Sequence, residues 1–332
     1  MKQKGISIKD IAEKAGVSVA TVSRVINKNG RFSKQTEQRV LNIIEEYDYR
    51  PNELARGLRV DKAQVVGVIV PDITNEFFAY IAREIESELL KNGYMAVICD
   101  TNEKLELEKQ YIEMLKSMRV GGIIYISGDQ KVDRVENIPA VYIDRQPAFV
   151  ENKEGSSFIG SDNYQGAYMA TKHLIEAGRK KIALVLHDKT IATQERRANG
   201  YKQALRDHGI EFDEQRVVKV NSVDMDSGYA ITKEIWESSV EIDSVFYVSD
   251  ILAIGALRYF SENAIRVPED VSIIGFDDIP LSSKVTPALT TMRQSFIEFG
   301  KIAADSIMKM MNGDMDYRKY ILAVELIERN TV

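Results

Sequence analysis

The chain has 332 residues, 44% hydrophobic and 28% charged, a balance that excludes a disordered protein and predicts two or three folded domains with a sizeable interior. The net charge of −6 argues against a nucleic-acid partner when read as an average, but residues 1–60 carry 12 Lys and Arg against 7 Asp and Glu, net +5, while the remainder carries net −11; a basic head on an acidic body is what phosphate binding by one small segment predicts. The single cysteine, Cys99, excludes an internal disulfide, no apolar run approaches the roughly 18 to 20 residues that span a membrane, and no signal-peptide core follows the polar first residues, so we expect a cytoplasmic chain.

Ser7 followed by Asp10 has the pattern of a capping box opening a helix over 8–15, with Ile8, Ile11, Ala12 and Ala15 on one face and Gly16 as its end. After a three-residue turn, Ser18 can cap a second helix over 19–27, in which Val22, Val25 and Ile26 repeat at helical spacing. Val22 and Val25 read as core. Ser33 opens a third helix whose Val40, Leu41, Ile44 and Tyr47 close a small three-helix core, and Pro51 terminates that unit. Residues 52–60 have the pattern of a short Asn-capped helix, too short to be stable alone.

From Val65 onward, short apolar runs alternate with amphipathic stretches, the texture of parallel strands joined by crossover helices. Strands are predicted over 65–70, 95–99, 123–126, 141–143, 182–186, 217–220, 245–248 and 272–276. Helices are predicted between most of them, among them 78–92, 105–118, 166–177, 196–208, 226–237 and 251–262. This makes two successive βα series, the second starting near Ser161, and two doubly wound subdomains with a cleft between them. Enzyme signatures are missing: there is no GxGxxG, no GxxxxGK[ST] and no GxSxG, and His173, His187 and His208 are too scattered for a metal site. No catalytic residue, metal or cofactor is implied.

Four fragments in order, Ile8-Lys9-Asp10-Ile11-Ala12, AGVSVATVSRVIN from Ala15 to Asn27, Tyr49-Arg50-Pro51-Asn52 and Ala55-Arg56-Gly57-Leu58, resemble the lactose-repressor family. The resemblance implies a helix-turn-helix head that lays the helix after Ser18 in the major groove. Val19, Ala20 and Arg24 then read bases: Arg24 donates twice to a guanine edge, and the small apolar pair suits thymine methyls. This Val-Ala pair is similar to that of galactose-type repressors. Ser18, Thr21 and Ser23 touch phosphates, although Ser18 and Thr21 read equally as helix caps. Asn27, Asn52, Ala55 and Arg56 complete the DNA-binding set. In the family the 52–60 segment folds in the minor groove on DNA, and a leucine at the Leu58 position wedges into the central base step.

The body resembles periplasmic sugar-binding proteins, particularly the ribose-binding type. Pro71-Asp72-Ile73-Thr74-Asn75-Glu76-Phe77-Phe78 and Ile143-Asp144-Arg145-Gln146 follow strands of the first series, at the strand ends where open α/β sheets bind ligands. Arg197, Ser249-Asp250, Gly275-Phe276-Asp277-Asp278 and Gln294 come from the second. The resemblance makes Asn75, Phe77, Phe78, Asp144, Arg145, Arg197, Ser249, Asp277 and Gln294 effector ligands: carboxylates accept from hydroxyls, Arg and Asn donate, and phenyl rings cover C–H faces. Ser249 stands where the ribose-binding pattern usually has asparagine, so ribose itself does not follow. Phe77 or Phe78 reads equally as helix core, Asp144-Arg145 as an exposed ion pair, and Asp250 as a helix cap.

The expected architecture is an all-α helix-turn-helix head on an α/β periplasmic-binding-protein-like body of two doubly wound parallel-sheet subdomains. Residues 1–50 form the head, 51–62 the hinge, and 63–332 the sugar-binding and dimerising core, with a first subdomain of 63–161 and 295–322 and a second of 162–294 and 323–332. A symmetric homodimer on a palindromic operator, released when a carbohydrate effector closes the cleft, is what the resemblance implies. A purine, nucleoside or sugar phosphate is the alternative effector. No leucine-heptad tail follows Glu325-Leu326-Ile327-Glu328-Arg329, so a terminal coiled coil is not expected.

Overall fold

The computed structural model describes residues 6–26, 29–47, 49, 64–127, 135–189 and 192–332. Five positions expected to touch DNA, Asn27, Asn52, Ala55, Arg56 and Leu58, lie outside the described residues, as does the hinge segment. The chain divides into two compact units, Met1–Ala63 and Gln64–Val332.

In the first unit, α1 (Ile8–Ala15), α2 (Val19–Ile26) and α3 (Lys34–Glu46) pack around Ile11, Ala12, Ala15, Val22, Val25 and Val40. The capping box is present: Ser7 Oγ accepts from Asp10 N, and Asp10 Oδ2 accepts from Ser7 N at 2.7 Å. Gly16 ends α1 with φ 63°, a left-handed conformation that glycine takes without a Cβ penalty. One expectation fails. Leu41 is 42% exposed and Tyr47 41%, so neither closes the core; Val40 does, with Ile43 and Ile44 partly buried beside it. Val40 and Ile44 keep the predicted face, Ile43 adds to it, and Tyr47 instead holds Lys14, whose Nζ donates to the phenol oxygen at 3.2 Å.

The second unit contains two six-stranded sheets. The first holds β1 (Val65–Val70), β2 (Met95–Asp100), β3 (Gly122–Ile126), β4 (Ala140–Ile143), β5 (Ser156–Ser161) and β11 (Arg318–Leu322), in the order β11-β5-β4-β3-β1-β2, all parallel. The second holds β6 (Ile182–His187), β7 (Val217–Val220), β8 (Ser244–Tyr247), β9 (Ser272–Asp277), β10 (Thr290–Arg293) and β12 (Glu325–Ile327), in the order β12-β10-β9-β8-β6-β7. Here the edge strand β12 runs antiparallel to β10, with Met292 opposite Leu326, so this sheet is not wholly parallel as expected. Helices α4 (Glu76–Lys91), α5 (Leu105–Ser117) and α10 (Phe296–Met311) serve the first sheet; α6 (Asn163–Glu176), α7 (Ala192–Asp207), α8 (Met225–Glu237) and α9 (Asp250–Glu262) serve the second. The chain crosses between the sheets three times: after β5, after β10 and after β11.

All eight predicted strands are present, two with the predicted ends and the others with ends shifted by one residue. Strands β5, β10, β11 and β12 went unpredicted. β5 reads Ser-Ser-Phe-Ile-Gly-Ser and is fully buried between β4 and β11 without an apolar run, and β11 and β12 are edge strands. Helices α8 and α9 meet at two glycines. A Cβ at Gly228 would stand 2.2 Å from Leu252 O, and one at Gly255 2.1 Å from Met225 O, so only glycine permits this backbone approach.

Candidate functional site

On the head, Ala20 and Arg24 project from α2 into solvent, Thr21 and Ser23 are half-buried, and Val19 is half-buried against the three-helix core. Ser18 is exposed and spends its hydroxyl locally: Oγ accepts from Thr21 N at 3.1 Å and lies 3.0 Å from Thr21 Oγ1. The cap reading of Ser18 is therefore occupied, and its first-turn neighbours form the outward face of a helix N-terminus. The Arg24 stem lies along the turn that follows: a Cβ at Gly30, whose φ is 114°, would come within 3.1 Å of Arg24 Cδ.

In the body, a cavity of about 370 Å³ opens between the two sheets at their strand C-terminal ends. From the first subdomain come Asn75, Phe77, Phe78, Asp144 and Arg145; from the second come Arg197, Ser249 and Asp277. Asn75 is committed to its helix, since its Oδ1 accepts from Phe77 N at 3.0 Å as the N-cap of α4. Phe77 is buried and meets Phe78, Phe296 and Phe299 edge-on, so it is both core and wall, and Phe78 presents the more open ring. Asp144 follows β4 with φ 67° and accepts from Ser127 Oγ at 2.6 Å. Arg145 Nη1 donates to Ser127 O at 3.2 Å. The two are partly buried, so they are not the exposed ion pair that the sequence left open.

Across the cleft, Arg197 is buried. Its Nε donates to Asn163 Oδ1 at 2.7 Å, its Nη1 donates to Val248 O, and its guanidinium lies 3.7 Å over the Phe276 ring. Asp277 ends β9 with φ 130°, a conformation side chains seldom adopt and one that clusters at functional sites. Its Oδ2 accepts from Ser249 Oγ at 2.9 Å and its Oδ1 from Gln294 Nε2 at 2.7 Å. Burial raises the Asp277 carboxyl above the usual carboxylate range and lowers Arg197, and the Arg197 charge pulls Asp277 partly back. Gln294 does not line the cavity: it stands behind Asp277 and aims it. The neighbouring Asp278 turns away to Arg293 and Arg329, at 2.7 and 2.5 Å.

Asp250 is neither ligand contact nor helix cap. It is the first residue of α9, wholly buried, and its carboxylate accepts from Ile279 N, Ser282 Oγ and Thr291 Oγ1 at 3.0, 2.6 and 2.5 Å, tying β10 to the 280–283 turn. Burial raises its carboxyl to about 6.

Sequence reasoning missed Glu103, His187, Thr193, Gln194 and Asp224 on the cavity wall. His187 ends β6, so the strand-end rule could have found it. Lys189 N donates to its Nδ1 and its Nε2 faces Asn221 O, each at 3.2 Å, which fixes the tautomer with the proton on Nε2. Burial, helped by Lys189, lowers its pKa and keeps it neutral. Glu103 spans the cleft: its Oε2 lies 2.5 Å from Lys189 Nζ of the second subdomain. At another edge Leu281 N donates to Glu76 Oε2 at 3.3 Å. Asp224 is held as the N-cap of α8.

A basic helix-turn-helix head followed by a two-lobed ligand-binding body defines a DNA-binding regulator controlled by a small molecule. Residues 7–52 match the family described as bacterial regulatory proteins, lacI family, and residues 171–332 match the periplasmic binding protein-like domain. The ribose operon repressor of Halalkalibacterium halodurans is 34% identical over 98% of this chain and 96% of its own length. The transcriptional repressor PurR of Vibrio atlanticus is also 34% identical, over 98% of each chain. The lac repressor dimer bound to operator and the anti-inducer ONPF superposes with TM-score 0.84 at 25% identity, over 99% of each chain. The chain belongs to the lacI family: it is a transcriptional regulator, and its relatives are regulators rather than enzymes.

Proposed function

We propose that the protein is a cytoplasmic repressor that binds a palindromic operator as a homodimer and releases it when a neutral sugar occupies the cleft. Residues 1–50 read the operator, 51–62 form the hinge, and 63–332 hold the effector and the dimer contact. Ser18, Val19, Ala20, Thr21, Ser23 and Arg24, with Asn27, Asn52, Ala55, Arg56 and Leu58, form the DNA surface. Dimer and operator follow the lac repressor relative, whose structure holds both.

The observation that carries the effector class is the facing of Asp144 with Arg145 and Asp277 with Arg197 across one cavity, beside Phe78. Such a set accepts from and donates to ring hydroxyls and covers one apolar face. The wall is acidic, with Asp72, Glu103, Asp144, Asp224 and Asp277 against Arg145 and Arg197, which disfavours a phosphate ester. Among the described residues the phenyls of the wall are Phe77 and Phe78, adjacent on α4 and packed edge-on against each other, so they do not sandwich a purine. Binding of the full chain to operators selected from random duplexes, measured across sugars, sugar phosphates, nucleosides and purine bases, tests this. One sugar is expected to weaken operator binding by about tenfold or more. A purine that acts while every sugar is silent overturns the reading.

The Glu103–Lys189 contact closes the mouth of the cleft and is solvent-exposed, so it is worth about 0–1 kcal/mol. Lys189→Met is expected to weaken effector binding about two- to fivefold at low salt and less at high salt, where screening already weakens the pair. Titration calorimetry at two ionic strengths checks it; a loss that does not change with salt removes the clasp.

A further inference from the structure

The first segment that carries the chain between the sheets runs from Ser161, the last residue of β5, to Asn163, the first residue of α6. Asp162 N donates to Leu322 O at 2.8 Å, so this segment lies against the end of β11, where the third crossing begins. Asn163 is buried, and it lines a recess beside the effector cavity rather than the cavity itself. Its side chain makes one bond in each lobe: Oδ1 accepts from Arg197 Nε at 2.7 Å, and Nδ2 donates to Ser161 O at 3.1 Å. Capping does not account for this amide, because Asp162 already caps α6 by accepting from Gln165 N at 3.0 Å.

The surroundings make the Arg197–Asn163 pair stiff. Helix α7 is pressed onto α6 at Gly200, where a Cβ would stand 2.2 Å from Tyr164 O. Arg197 lies about one turn before that glycine and Asn163 directly before that tyrosine, so the two side chains are carried together. A buried amide is costly to leave unbonded. When Arg197 turns to meet an effector oxygen, Asn163 follows, and its Nδ2 bond carries the displacement to the end of β5 and to Leu322 beside it. Gln294, the amide of the second crossing, has no such reach. Its N and Nε2 both donate to Asp277 of the second lobe, at 3.2 and 2.7 Å, and its Oε1 has no hydrogen-bond partner among the described residues.

We propose that Asn163 is the positioning residue that couples the effector to the operator, passing the state of Arg197 across the hinge to the first lobe through Ser161. This rests on the reading of the cavity as the effector site. The first lobe is the one whose opening strand, β1, follows the 51–62 segment in the chain, so it is the lobe through which the head must be informed.

Coupling is the ratio of operator affinities without and with saturating effector, and by linkage it equals the ratio of effector affinities for free and operator-bound protein. Operator binding by the full chain is titrated with ribose, glucose, galactose, fructose, cellobiose, glucose 6-phosphate, adenosine and guanine, and the compound that shifts it is carried to the variants. Asn163→Asp keeps an acceptor for Arg197 and places a carboxylate where a helix N-terminus and a guanidinium both favour it, but it can no longer donate to Ser161 O. It is expected to bind the effector within about twofold of wild type while the coupling ratio falls from about tenfold or more to about twofold. Asn163→Ala cuts both bonds, so it weakens the effector several-fold and loses the ratio as well. A wild-type ratio in the aspartate variant overturns the relay: a residue that only supports the fold lowers the melting temperature, and one that only supports binding weakens the effector equally for free and operator-bound protein, and neither changes the ratio. A purine or nucleoside that acts while every sugar is silent overturns the sugar reading and leaves the relay to be decided by the same ratio, since the relay begins at Arg197 whatever the compound. If no compound of the set acts, both fall.

Discussion

Asp277→Asn is expected to abolish the effector response while operator binding stays at the wild-type level. The carboxylate is fixed from behind by Ser249 and Gln294 and faces the buried Arg197. Asparagine keeps the size but loses the carboxylate charge and turns one acceptor oxygen into a donor, so that a single oxygen is left to accept from Gln294, Ser249 and an effector hydroxyl together. Hydrogen bonds to a charged group are worth roughly 1.5–3 kcal/mol, about tenfold or more in affinity for each effector hydroxyl that loses the carboxylate. Calorimetry with the identified effector reads the loss, and a melting curve separates it from unfolding. Asp278→Asn is the control: Asp278 pairs with Arg293 and Arg329 away from the cavity, so it lowers stability and spares affinity. Acidification supplies a second arm. A carboxyl raised by burial takes up its proton sooner than an exposed one, and the protonated form no longer accepts at both oxygens. Effector affinity therefore falls as pH is lowered, and Asp278→Asn retains that dependence. A wild-type titration curve for Asp277→Asn removes the residue from the site.

How far the sequence reached follows from what each residue's neighbours can hide. Buried parallel strands such as β1 and β9 are written as apolar runs, and the caps at Ser7 and Ser33 as short polar signals, so both were legible. β5 was not, because a strand buried between two others can be built from serine and glycine. Leu41 shows the limit of helical periodicity, since Val40 and Leu41 fit neighbouring faces equally and only packing decides between them. At the cavity, residues at strand ends were legible by position: Asp144, Asp277 and, by the same rule, His187. Glu103, Thr193 and Gln194 were not, because each reaches the cavity from a loop or a helix start whose path depends on the other lobe. Two adjacent aspartates show the same limit at single-residue scale. Asp277 and Asp278 are equivalent in sequence, and a backbone at φ 130° sends one to the cavity and the other to two arginines.

Arg24→Ala is expected to lower operator affinity by roughly 2–6 kcal/mol in the dimer, because each of two heads loses a bidentate contact worth about 1–3 kcal/mol and the heads are far enough apart to add. The side chain suits that role. It leaves α2 on the exposed face, and its stem rests on the turn at Gly30, which has no Cβ to displace it. An arm laid along a turn loses less freedom on meeting a base than one free in solvent. The change must also be specific. If Arg24 reads a guanine edge, the alanine variant loses most of its preference for operator over random duplex, while its affinity for random duplex and the salt dependence of that affinity change little. If it touches a phosphate, both affinities fall together and the salt slope drops by about one. Ser18→Ala separates the two kinds of contact on the same helix. Its hydroxyl already caps α2 through Thr21 N, so its loss costs about 1 kcal/mol of head stability and weakens operator and random duplex alike. Binding of the three proteins to selected operator and to random duplex, at two salt concentrations, decides which residues carry sequence and which only hold the helix in place.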